Sequence, residues 1–223
     1  VSDGRRLIIA IDGPSGAGKG TLARSVAKAL DYAHVDTGAM YRAVAWKAVH
    51  DGVPLDNESE VGRVASELAI DQRDGLVVID GHDVTRDIRT PEIDKAAAAV
   101  ARLPRVRAIL ADRQRALGQG GGVVMEGRDI TTVVFPNADV KIYVDASPEE
   151  RARRRALDPA HTGGQQGSLA GVQQDLQARD KSDSTRSVAP LALARDAEYI
   201  DTTNMPVEQV VARVMEIVKR KLR

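Results

Sequence analysis

Residues Leu7-Ile-Ile-Ala-Ile-Asp-Gly-Pro-Ser-Gly-Ala-Gly-Lys-Gly-Thr-Leu22 decide the fold. Leu7 to Ile11 form an unbroken apolar run, as expected of a parallel strand buried on both faces. Gly13, Pro14, Ser15, Gly16, Ala17, Gly18, Lys19, Gly20 and Thr21 follow, with the Gly13-x4-Gly18-Lys19 spacing of a phosphate-cradling loop. The glycines let backbone N–H groups turn inward toward anionic oxygens, and Lys19 supplies a point charge for the β- and γ-phosphates. Leu22, Val26 and Leu30 then recur every four residues, so a helix starts at the loop and turns its positive end on the same phosphates. A plain Gly-rich turn is the competing reading. The buried strand, the full spacing and the amphipathic helix together weigh against it. The ligand implied is a nucleoside triphosphate.

Outward from this stretch, Ala33–Asp36, Val123–Met125, Val140–Val144 and Tyr199–Ile200 read as further strands, separated by helices. That order predicts an α/β fold, a doubly wound parallel sheet flanked by helices, with ligands beyond the carboxyl ends of the strands. Residues 43–70 read as helix in two pieces broken at Gly52-Val53-Pro54. Two Asp-Gly steps, Asp74-Gly75 and Asp80-Gly81, flank the β-branched run Leu76–Ile79 and predict a small antiparallel β meander. Such a meander is foreign to a doubly wound core, so residues 54–95 are expected to be an insert. The Gly-rich stretch 158–171 reads as a mobile loop, with a helix to follow over about 171–182. A final helix presents Val207, Val210, Val211, Val214 and Val218 on one face. The expected organisation is one domain over 1–223, with a core of 1–53, 96–150 and 187–223, and a lid and binding segment over 151–186.

Composition narrows the function. Lys plus Arg equals Asp plus Glu at 32 each, so no global field draws a nucleic acid or an acidic membrane. One Trp, four Tyr and one Phe are too few for a base-stacking platform. The chain has no cysteine, which removes disulfides and thiolate metal sites and fits a reducing compartment. No apolar run approaches a membrane span, and no signal-peptide core precedes the first strand. A cytoplasmic monomer acting on small molecules is expected.

Arginines cluster beside small-residue loops: Arg42, Arg89, Arg107, Arg128, Arg151, Arg154, Arg155, Arg179 and Arg186. Any one of them alone reads as a solvated surface charge. As a set they suit bidentate recognition of phosphate. Asp36, Thr37 and Arg42 stand at a strand's carboxyl end, where either a helix cap or a ligand contact explains them. His34, His50, His82 and His161 show no metal-ligand spacing and read as structural or exposed. Phosphoryl transfer to an acceptor phosphate needs alignment and charge neutralisation rather than a general base. Gly20 stands where Ser or Thr usually follows the loop lysine, and Thr21 comes one place later. Mg²⁺ is therefore expected on the nucleotide phosphates and water, with Thr21 as the alternative protein contact.

The loop has the form seen in nucleoside monophosphate kinases. Asp36-Thr-Gly-Ala-Met-Tyr-Arg42, Asp87-Ile-Arg-Thr90, Glu126-Gly-Arg-Asp-Ile130, Thr132-Val-Val-Phe-Pro136 and Asp145-Ala-Ser-Pro-Glu-Glu-Arg151 resemble bacterial cytidylate kinases. So do Arg179-Asp180, Asp183-Ser-Thr-Arg186 and Ala189-Pro-Leu191, and the resemblance runs from about Ile8 to the last helix. It implies transfer of the γ-phosphoryl group of ATP to CMP and dCMP. It implies further that Thr37, Arg42, Arg128 and Arg186 bind the acceptor, chiefly its phosphate. Arg107 and Asp129 would read cytosine, and Arg179 and Asp183 the sugar. Lys19, Arg128 and Arg186, with Arg154 or Arg155, would carry the transfer. Ala98 departs from the family pattern, in which some members place Ser near the base. A kinase for another small acceptor, a regulatory GTPase and a nucleic-acid-dependent ATPase are the rival readings. The chain has no Asp-x-x-Gly switch or Asn-Lys-x-Asp guanine reader for the second, and no basic or aromatic track for the third.

Overall fold

The computed structural model describes residues 6–73, 75–158 and 168–222. The central strand β1 (Ile8–Asp12) is buried because both its faces carry apolar side chains. It lies between two strands encoded much later, β6 (Val123–Gly127) and β7 (Val140–Asp145). The outer positions are taken by β2 (Ala33–Asp36) and β8 (Glu198–Asp201). The sheet order is β2-β6-β1-β7-β8, and every pairing is parallel. Register sets Asp12 opposite Gly127 and Tyr143, and Asp36 opposite Glu126, so the carboxyl ends of four strands share one edge. The site is built there.

Alternation along β1 divides the interior. Ile9 and Ile11 pack with Leu22 and Val26 of helix α1 (Lys19–Leu30) and with Val210, Val214, Ile217 and Val218 of α8 (Val207–Lys221). Val207, expected on that face, is 37 % exposed at the start of the helix, and Ile217, two turns after Val210, joins the buried stripe. Ala10 faces the other way, toward Met40, Ala43 and Val44 of α2 (Thr37–His50), Ala96 and Ala97 of α4 (Pro91–Val100), and Val106 and Leu110 of α5 (Pro104–Gly118).

The meander is present as β3 (Ile70–Arg73), β4 (Leu76–Ile79) and β5 (His82–Asp83), an antiparallel sheet preceded by α3 (Glu58–Glu67). Val77, Ile79 and Ile88 join the same apolar core as α2 and α5, so this region shares its interior with the main sheet. Two helices, α6 (Pro148–Leu157) and α7 (Leu169–Thr185), flank the stretch expected to be a loop. Residues 159–167 of that stretch lie outside the described residues. Its end differs from expectation: α7 begins at Leu169, because the Ser168 hydroxyl accepts a hydrogen bond from Gly171 N and caps the helix. Among the described residues no helix is long and apolar enough to cross a membrane.

Two local features place the ligand edge. Helix α2 starts at once after β2, earlier than expected, because the Asp36 carboxylate accepts from Ala39 N at 3.0 Å. After β6 the chain makes one wide helical turn over Ile130–Val134, which the sequence reading did not foresee. The fully buried Asp12 carboxylate accepts from Ile130 N, Thr131 N and the Thr131 hydroxyl at 2.7–3.0 Å and pins that turn to β1. Burial pushes the Asp12 carboxyl up from the usual range despite these three bonds.

Candidate active site

The phosphate loop bends sharply out of β1. Gly13 has φ +149°, and a Cβ there would lie 2.0 Å from the Val144 carbonyl oxygen, so no larger residue fits. Gly18, at φ +91°, leads into Lys19 at the first position of α1. The Lys19 ammonium is buried and donates to Pro14 O at 2.7 Å. Burial, with the nearby Arg128 charge, lowers its pKa to about 7, while Glu126, Asp12 and Asp183 act in the opposite direction. From the far side, Arg151 donates to Ser15 O at 3.1 Å and to Asp180, whose carboxylate also accepts from Ser15 N. Helices α6 and α7 are thus tied to the loop itself.

Arg154 and Arg155 are adjacent but held differently. Arg154 donates to Glu150 at 2.8 Å and to Thr202, through both hydroxyl and carbonyl, on the donor side of the cleft. Arg155 turns away and donates to Asp94 on α4.

The other end of the cleft carries paired charges. Arg107 donates to Asp129 at 2.5 Å and to Ala101 O at 3.1 Å, with its guanidinium 5.3 Å from the Tyr41 ring centre. Arg128 donates to Asp183 at 2.9 Å. Arg186 donates to Ala189 O at 2.6 Å and lies 3.6 Å from Asp129 and 3.7 Å from Asp183. Arg179 donates to Asp94 at 3.2 Å. Thr37 donates its hydroxyl to Glu126 O at 2.7 Å, and Glu126 in turn meets His34 at 3.1 Å. Burial favours the neutral form of Asp183, but Arg128, Arg179 and Arg186 outweigh it and hold the carboxyl below its usual range.

One cleft of about 490 Å³ runs between these two ends. It is lined by Ser15, Gly16, Gly18, Lys19, Gly20 and Thr21 of the loop, and by every expected acceptor residue: Thr37, Arg42, Arg107, Arg128, Asp129, Arg179, Asp183 and Arg186. Arg154 and Arg155 line it too, whereas Gly13 and Pro14 do not. Asp36 serves both sequence readings, since it caps α2 and lines the cleft. Ala97, Ala98 and Ala101 form an apolar wall. Among the described residues, four buried guanidinium nitrogens lack a hydrogen-bond partner, Arg42 Nε, Arg89 Nε, Arg107 Nε and Arg186 Nη2, and all belong to residues lining the cleft.

Sequence reasoning assigned no role to Arg89, Tyr41 or Glu126, though Arg89 belonged to the arginine set and Glu126 began a quoted motif. It also missed a second hollow of about 220 Å³ behind the loop, lined by Ala17, Thr21, Arg153, Arg154, Thr202 and Met205 among others. Ala17, Thr21 and Arg154 in its lining belong to the loop and the arginine set, but nothing in the sequence joins them to Thr202 and Met205.

A parallel sheet carrying a lysine phosphate loop at one end of an arginine-lined cleft defines a kinase of the P-loop class. The fold is that of shikimate kinase from Bacteroides thetaiotaomicron, aligned over 96 % of this chain and 98 % of that chain with a TM-score of 0.50 at 12 % identity. The sequence is more specific. The cytidylate kinase family model matches residues 9–220, and the chain belongs to that family. It is 50 % identical over 212 residues to a cytidylate kinase of Pelotomaculum thermopropionicum, covering 93 % of each chain. It is 47 % identical over 222 residues to one of Geobacillus thermodenitrificans, covering 98 % of this chain and 99 % of that one.

Proposed function

We propose that the chain transfers the γ-phosphoryl group of ATP to CMP, giving CDP and ADP, and accepts dCMP as well. The carrying observation is the single cleft with the Lys19 loop at one end and the Arg107–Asp129 pair at the other. The donor triphosphate lies along the loop, its phosphates taken by backbone N–H groups, the α1 N-terminus and Lys19. Its base and sugar fit the second hollow beside Thr202 and Met205.

At the acceptor end, Arg42, Arg128 and Arg186 receive the CMP phosphate, an anion that attacks in line without a general base. Asp129 accepts from cytosine N4, while the unpartnered Arg107 Nε donates to N3 or O2. Arg179 and Asp183 lie at the sugar. Asp183 is already held by Arg128 and Arg186, so a sugar lacking the 2′-hydroxyl leaves no carboxylate unpaired, which supports dCMP. Arg155 closes over the transferring group, with Arg154 fixed beside it.

The donor set fits a Mg²⁺ held through nucleotide phosphates and water. Among the described residues no three His, Cys, Asp or Glu form a metal cluster, Asp12 has both oxygens engaged, and Thr21 lines the cleft beside Lys19. When bound, the ion neutralises charge on the β- and γ-phosphates. A monomer in the cytoplasm completes the proposal, and the cysteine-free composition suits that reducing compartment.

The test is a coupled assay of ADP formation with each nucleoside monophosphate in turn. CMP and dCMP are expected to turn over far faster than UMP, AMP or GMP. Equal rates across the five would overturn the proposal.

A further inference from the structure

We infer that Asp94, on helix α4, is a positioning residue for phosphoryl transfer: its carboxylate holds Arg155, Arg179 and Arg42, which come from three different helices, at the wall of the cleft. One oxygen accepts from Arg155 Nη2; the other accepts from Arg179 Nη1 at 3.2 Å and lies 3.8 Å from Arg42 Nε. These arginines project from α6, α7 and α2.

The carboxylate has a rigid mount. Asp94 sits in the first turn of α4, where its N–H donates to Thr90 O at 2.9 Å. The Thr90 hydroxyl caps that turn by accepting from Ile93 N, Pro91 fixes its start, and the neighbouring Ile93 and Ala97 are buried in the core. A short side chain on a capped, packed helix has few rotamers to lose, whereas each arginine has many. Asp94 therefore sets where the guanidiniums lie, rather than the reverse.

Charge balance points the same way. Burial lowers the pKa of Arg155 and of Arg179, neighbouring guanidiniums, Arg42 among them, lower it further, and Asp94 opposes both effects at each. Arg154 shows the contrast. It is anchored on its own side of the cleft by Glu150 and Thr202, whereas Arg155 reaches across to α4. The alignment of Arg155 with a transferring phosphoryl group thus depends on a residue outside both nucleotide sites. The inference rests on the role proposed above for Arg155.

The experiment is a double-mutant cycle on kcat, with the KM for CMP and for ATP, in wild type, Asp94→Asn, Arg155→Ala and the double variant. Asp94→Asn keeps the shape and removes the charge. A kcat loss of about tenfold is expected in the wild-type background and less than about twofold in the Arg155→Ala background, because the kcat effect acts through that arginine, whereas loosening of Arg42 and Arg179 raises the KM for CMP in both backgrounds. A purely structural role would give equal losses in both backgrounds. Equal losses, or no loss in wild type, would overturn the inference while leaving Arg155 in place. Wild-type kcat in Arg155→Ala would instead overturn the role of Arg155 and the inference with it. If the Asn variant does not fold, Asp94→Glu runs through the same cycle. There the carboxylate is displaced by one methylene, and a smaller loss, again absent without Arg155, is expected.

Discussion

Lys19 is an unusual cation, buried beneath its own loop with its charge only half supported at neutral pH. A bound triphosphate supplies the missing counter-charge and raises its pKa. Nucleotide binding is therefore expected to take up close to one proton at about pH 8.5, where free Lys19 is mostly neutral, and almost none below about pH 6, where it is already charged. Calorimetry in two buffers of different ionisation enthalpy reads this directly; uptake that does not vary with pH would contradict it. Lys19→Met is expected to cost about a thousandfold in turnover with no fall in melting temperature, since the substitution removes a buried charge. Near-normal turnover in that variant would remove Lys19 from the chemistry.

Asp129 presents a second residue-scale test. One of its oxygens is committed to Arg107, and the other, 3.6 Å from Arg186, remains for the base. Uracil would set O4 against that oxygen, acceptor against acceptor. Asp129→Asn offers an NH₂ instead, so activity on CMP should fall far more than activity on UMP. An unchanged CMP-to-UMP ratio would reduce Asp129 to a salt-bridge partner of Arg107.

At the scale of elements, α6 and α7 bracket the cleft and carry Arg154, Arg155, Arg179 and Asp183 of its lining, with Asp158 and Arg186 just past their ends. Arg151 and Asp180 anchor both helices to the loop at Ser15, so a closure of the two helices would pivot about that point. Amide exchange across Arg154–Leu157 and Leu169–Leu176 is expected to be fast in the free protein and slow with a bisubstrate analogue bound, while Arg151 and Asp180 stay protected in both states. Equal protection throughout would rule out closure.

The sequence was informative about which elements these were, because strands, phosphate loop and cationic motifs are local patterns. The partner of each arginine was hidden. Nothing near Arg155 in the chain names Asp94, and nothing near Arg179 names it either. Those pairings depend on how α4 and α7 meet across the cleft. The early start of α2 was obscured for a related reason: Asp36 is both cap and cleft wall, and the sequence allows either.

Over the whole molecule, the parallel sheet and the antiparallel meander were legible from apolar runs and Asp-Gly turns. Their sharing of one apolar core was not, since it depends on α2 and α5 spanning both. The strand order carries a consequence for synthesis. Within the parallel sheet, β1 pairs only with β6 and β7, and β2 only with β6, so neither of the first two strands has a neighbour until Val123 and beyond have been made. A nascent chain shorter than this emerges with two naked strand edges and a phosphate loop with no closed sheet beneath it. Its contacts are long-range and late, the kind that slow folding and invite association with other chains. Nucleotide can help the finished fold, but it has nothing to grip on the ribosome-bound half.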